Sequence, residues 1–179
     1  MLYFWKKENK LDMKKYFILT FITLFAFSFW NCEKDDICSD STPTTPRVVI
    51  EFYDASDPTE LKTVTNLGII APGFTDGFGF NGVSIATAPL KTTNDTTTLQ
   101  FIENGSDTDT GNDNIDEIIF NYTRQEIYVS RACGYKTNFT LDATTGVVLT
   151  TDADNWIQSI TIEQPSIENE NETHIKIYF

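Results

Sequence analysis

Histidine is almost missing from this chain: His174 stands alone among 179 residues. A Ser-His-Asp triad would have to use it, and no Gly-x-Ser-x-Gly elbow accompanies it. Zinc centres need several His or Cys ligands, and only three cysteines stand beside that histidine. A Gly-rich phosphate loop is also lacking. Positive charge is scarce: 13 Lys and Arg face 26 Asp and Glu, for a formal net charge of −13. That balance argues against nucleic acid and anionic membrane surfaces as partners, because both need basic patches. Carboxylates are so frequent that no pair stands out as the acid and nucleophile of a glycoside hydrolase. The expectation is a non-catalytic chain without a cofactor.

What is present begins with an address. Lys14 and Lys15 precede Tyr16 to Trp30, a stretch without charge and rich in Phe, Leu and Ile. It falls short of the ~20 apolar residues of a spanning helix and suits the apolar region of an export signal. Met13 is the expected start of that signal, with residues 1–12 as an upstream extension. Ordinary signal peptidase asks for small residues in an A-x-A pattern, which Phe29-Trp30-Asn31 do not supply. A lipoprotein signal instead needs Cys at the first mature position, and Cys32 stands there. Phe29-Trp30-Asn31 depart from the usual box of Leu and small residues before that Cys. The predicted organisation is a signal helix within residues 1–31, a lipidated tether over 32–46 and one domain over 47–179.

Directly after Cys32, Glu33-Lys34-Asp35-Asp36 resembles the lipoprotein export signal of one Gram-negative phylum. The resemblance implies display on the outer face of the outer membrane, with Lys34, Asp35 and Asp36 as the signal. The plainer reading is an acidic tether on a lipoprotein that faces the periplasm. Residues 1–31 carry five lysines and two acids, so the remaining 148 residues stand at −16. With Cys32 acylated, Cys38 and Cys133 remain as an even pair in an oxidising compartment, where a disulfide is the natural reading. The competing reading is two separate thiols, with Cys133 buried as a small apolar residue.

After the tether the chain alternates. Val48, Ile50 and Phe52 share one face of a strand over Arg47 to Asp54, and Leu61 to Ile70 reads as a second strand. Thr96 to Glu103 presents Leu99 and Phe101. Ile115 to Tyr122 and Gln125 to Arg131 read as two strands joined by a tight Thr123-Arg124 hairpin. Tyr135 to Leu141 follows, with Gly134 at a bulge. Val147 to Leu149, Trp156 to Glu163 and His174 to Phe179 complete the set, with Ile175, Ile177 and Phe179 inward and His174 on the opposite, exposed face. Short strands, frequent turns and no helix after the signal predict an all-β antiparallel sandwich, immunoglobulin-like or transthyretin-like, of seven to nine strands.

Two loops carry candidate ligand chemistry. Gly73 to Gly82 interleaves Phe74, Phe78 and Phe80 with glycines, which suits contact with a ligand or, more plainly, a plug over one end of the sandwich. Asn104 to Asn114 leads into a run whose Asp107, Asp109, Asp113 and Asp116 invite calcium, since hard cations take clustered carboxylates. The EF-hand spacing fails there, and a solvated hairpin tip is the plainer reading.

Several patterns together, Cys32-Glu33-Lys34-Asp35-Asp36-Ile37-Cys38, Arg131-Ala132-Cys133-Gly134-Tyr135-Lys136 and the closing His174-Ile175-Lys176-Ile177-Tyr178-Phe179, resemble a family of small outer-membrane lipoproteins of unknown function. The resemblance implies location and fold and no mechanism. Two function classes follow. The first is a non-catalytic structural, accessory or binding module on the membrane, held by the lipid on Cys32 and partnered by another outer-membrane protein. The second is a glycan- or ligand-binding lipoprotein that assists nutrient uptake. Beyond residue 31 Trp156 is the one tryptophan, which favours the first class, because carbohydrate platforms expose several aromatics.

Overall fold

The computed structural model describes residues 5–28, with the side chains of 14–25, and residues 37–179. Cys32, Lys34, Asp35 and Asp36 lie outside the described residues. The chain divides into two units, 1–39 and 40–179.

In the first unit α1 spans Trp5–Ser28. Tyr16, Phe17, Ile18, Leu19, Phe21, Ile22, Leu24 and Phe25 are all exposed. Consecutive helical residues point in all directions, so the apolar surface runs around the helix instead of forming one stripe. Among the described residues, no helix is long and apolar enough to cross a membrane.

The second unit is an all-β sandwich. One sheet has the order β4 (Ile85–Ala88), β1 (Val48–Tyr53), β11 (Ile175–Tyr178), β9 (Ser159–Ile162). The other runs β10 (Ser166–Ile167), β7 (Gly134–Leu141), β6 (Asn114–Ser130), β5 (Thr96–Glu103), β2 (Leu67–Ile70), β3 (Phe78–Phe80), with β8 (Val147–Leu149) also on β6. Pairing is antiparallel apart from β1 with β11, where Ile50 stands beside Ile175 and Phe52 beside Ile177. The alternation read from the sequence is what fills the core. Val48, Ile50, Phe52, Phe101, Ile118, Phe120, Ile175 and Ile177 have no exposed surface. Phe179 packs against them.

The structure departs from the sequence expectation in three places. Eleven strands form where seven to nine were expected, because β3 and β10, of three and two residues, are too short to carry a period; β8 stands where the sequence placed it. Leu61 to Ile70 is not one strand: Leu61 and Val64 make single bridges to Tyr53 and Val83, and only Leu67–Ile70 joins a sheet.

The third departure matters most. No hairpin forms at Thr123-Arg124. β6 runs on without a break for 17 residues. Its first half pairs with β5 as far as Asn121 opposite Thr96, and its second half pairs with β7 from Tyr122 onward. Thr123 and Arg124 are polar because here the strand passes the end of β5 into solvent. Arg124 Nε donates to Asp95 Oδ1 at 2.7 Å and fixes that departure. The turn comes later, at Arg131–Cys133, where Gly134 adopts φ +71° and the register slips between Tyr128 and Ser130. A positive φ is open to glycine at little steric cost.

Candidate functional site

The phenylalanines of the aromatic loop differ in exposure. β3 pairs with β2 so that Phe80 stands opposite Leu67 and Phe78 opposite Ile69. Phe80 packs on the core, whereas Phe78 is 44% and Phe74 71% exposed. The loop is thus no plug: one phenylalanine covers the core, and two remain open at the outer edge of the larger sheet.

The four aspartates of the calcium candidate do not converge. Asp107 accepts the backbone N–H of Asp109 at 2.8 Å and Asn66 Nδ2 at 3.1 Å. Asp109 accepts the N–H of Gly111. These carboxylates shape their own turns. Asp116 belongs elsewhere. It is fully buried, accepts Ile157 N–H at 2.7 Å and Asn155 Nδ2 at 3.0 Å, and so staples the 150–157 segment to β6. Burial raises its pKa above the ordinary value. Among the described residues, no three His, Cys, Asp or Glu gather to hold a metal ion. The sequence did carry a signal for Asp116: it lies two residues before Ile118, on the inward parity of Ile118, Phe120 and Tyr122.

Cys38 and Cys133 are both disulfide-bonded. With three cysteines in the chain, the two satisfy this only by bonding to each other.

His174 corrects the expectation of an exposed histidine, since it has no exposed surface. It precedes the first residue of β11, where strand alternation no longer sets its surroundings. Its backbone N–H donates to Val49 O at 3.0 Å, and its ring Nδ1 accepts Val49 N–H at 2.9 Å. The ring thus takes the place of a strand carbonyl at the start of β1. Accepting at Nδ1 fixes the neutral ring with its proton on Nε2, and Nε2 is buried without a hydrogen-bond partner among the described residues. Burial lowers the pKa, against the charges of Glu172 and Glu170, which raise it.

A depressed histidine pKa gives stability that is present above the unfolded value, ordinarily 6.5, and is lost as pH falls. The expected result is a loss of up to about 1.4 kcal/mol per pH unit below that value. His174→Asn keeps an acceptor for Val49 N–H and removes the titration. Denaturant unfolding at pH 7.5 and 5.5 should show a smaller pH effect in the variant; equal pH effects would refute this role.

Two open polar recesses, of about 420 and 340 Å³, lie where β6 leaves the sandwich and share Asp95 and Thr123 in their linings. Arg124 and Glu126 line the first, and Asp142 and Thr145 the second. The guanidinium is spent on Asp95. Asp142 is held down at a pKa of about 2 by the backbone N–H groups and hydroxyls of Thr145 and Thr144. The recesses can hold polar groups by hydrogen bonds.

No curated protein and no solved structure matches this chain. Residues 75–179, more than half of its length, match the family of unknown function DUF6452, and the chain belongs to that family.

Proposed function

We propose that this protein is a lipid-anchored, non-catalytic module of the outer membrane, displayed on the cell surface, with a structural, accessory or binding role. The observation that carries the reading is the run from Met13 to Cys32: two lysines, a continuous apolar stretch and a cysteine at its end. The exposed apolar surface around α1 supports it, since such a helix has no amphipathic stripe to bury in a soluble core. Acylation with several chains, each contributing ~0.8 kcal/mol per buried CH₂, holds a protein stably on a bilayer. Replacing Cys32 by Ala should move the protein from the membrane to the soluble fraction; continued sedimentation with membranes would sink the anchor.

Surface display rests on Lys34-Asp35-Asp36. Protease added to intact cells should remove the protein. Digestion only after lysis would place it facing the periplasm.

A second reading, a glycan- or ligand-binding lipoprotein, is favoured by the two phenylalanines left open on the β3 edge, Phe74 and Phe78. A glycan-array screen separates the two, and capture of the intact lipoprotein from outer membranes identifies a protein partner.

A further inference from the structure

Beyond Arg124 and Phe139, where neither β5 nor β10 flanks them, β6 and β7 form a two-stranded ribbon that ends at Arg131–Cys133. Tyr128 and Tyr135 face each other across it, with ring centroids 5.4 Å apart and planes at 67°. They are 56% and 66% exposed. An edge-to-face pair of this kind is normally core material, and here it stands in the open at the end of a hairpin.

The charge of the ribbon sets it apart. From Cys32 onward the chain carries −16, yet residues 125–138 hold Arg131 and Lys136 against Glu126 alone, a local +1, while Arg124 at the base is paired with Asp95. Phosphate-bearing headgroups repel this stretch less than the acidic remainder of the domain. Tyrosine is enriched where membrane meets water, because its ring is apolar and its hydroxyl wet.

The entry path of the chain supplies the third observation. Thr42 Oγ1 lies 3.7 Å from Cys133 Sγ, and Thr45 Oγ1 accepts Thr137 N–H at 3.0 Å. The last part of the tether, from Thr42 to Thr45, therefore runs along β7 from the tip of the ribbon toward its base, and β1 follows it. Thr42 stands ten positions after Cys32, a reach of at most about 35 Å when fully extended. The bond from Cys38 to Cys133 leaves five residues between Cys38 and Cys32, a reach of at most about 20 Å over six chain steps.

We propose that the tip of the β6–β7 hairpin lies in the headgroup layer of the leaflet that receives the Cys32 lipid, with Tyr128 and Tyr135 as interfacial anchors. This rests on the lipid-anchor reading above. The lipid then sets the distance of the domain from the membrane, and the hairpin sets its orientation. The smaller sheet and the Phe74–Phe80 edge are left free for other partners.

The test uses the full-length, acylated protein isolated from its host membranes and inserted into vesicles of phosphatidylethanolamine and phosphatidylglycerol, with or without bromine on the acyl chains. Tyr128→Trp and, separately, Tyr135→Trp place a reporter at the tip. Tyr53→Trp at the far end of β1 is the control, and buried Trp156 gives a constant background. The brominated lipid should quench the introduced tip tryptophans roughly twofold relative to the control, as expected of an aromatic at the interface. Protein that floats with vesicles yet shows no more quenching at either tip position than at Tyr53 overturns the hairpin proposal and leaves the anchor standing, as it would if the tip bound another protein. Protein that does not float overturns the anchor, and the hairpin proposal with it.

Discussion

Reduction of the Cys38–Cys133 bond should lower the stability of the domain by up to about 4.7 kcal/mol, the chain-entropy figure for a loop near one hundred residues. The bond encloses 95 peptide units, and so many residues gain freedom in the unfolded chain when it opens. Net stabilities of single domains are ~5–15 kcal/mol, so the loss is a large share of the total. The melting temperature should fall by about 10–15 °C for a domain of this size. Trp156 is a suitable reporter. It is 8% exposed, donates from Nε1 to Phe101 O at 3.1 Å and stands edge-on to Phe179 at 5.3 Å. Thermal unfolding followed by its fluorescence, with and without reductant and with Cys133→Ala, measures the effect. A shift below about 2 °C would mean that the bond adds almost nothing to the fold.

The second large effect is expected from Asp116→Ala. The substitution leaves Ile157 N–H buried without its acceptor and releases Asn155, which also donates to Thr150 O and accepts Asp152 N–H. Hydrogen bonds to a charged group contribute ~1.5–3 kcal/mol each, and two are lost, so a destabilisation of about 3–5 kcal/mol is expected. Asp116→Asn keeps an acceptor for Ile157 N–H but opposes a donor to Asn155 Nδ2, and should cost about half as much. Denaturant midpoints of the two variants at pH 7 test the order; equal effects would mean that packing, not hydrogen bonding, sets the loss.

The pH dependence of the two buried groups runs in opposite directions. The raised pKa of Asp116 contributes stability that is present below the ordinary carboxylate value and lost as pH rises through the folded value. The lowered pKa of His174 contributes stability that is lost as pH falls below its ordinary 6.5. Asp142 acts in the sense of His174 but at lower pH, between its ordinary 3.8 and about 2.

The sandwich was legible because its inner positions alternate. The parity of Val48, Ile50 and Phe52, or of Leu99 and Phe101, needs no knowledge of partners. The length of β6 was not legible, because Thr123-Arg124 looks like a turn when polarity is taken as a sign of chain reversal. It marks only the point where the strand passes β5, and that point depends on where another strand ends. The parallel pairing of β1 with β11 joins residues more than one hundred positions apart, and period-two alternation carries no information on strand neighbours or direction. His174 misled for a related reason: its parity is outward, and its burial comes from Val49 and the segment around it. Asp116 was misplaced because a carboxylate near an acidic loop invites a metal, although its inward parity already pointed to the core. The cysteine pair was found by counting, which depends on chemistry and compartment and not on topology.

The central claim is the lipid on Cys32, since membrane attachment and the orientation proposed for the domain both depend on it. The most direct measurement is the mass of the N-terminal peptide of the protein extracted from its own membranes. The account predicts a chain that begins at Cys32 and carries acyl groups on that residue. A chain that retains residues before Cys32, or one whose Cys32 is a free thiol, would contradict it.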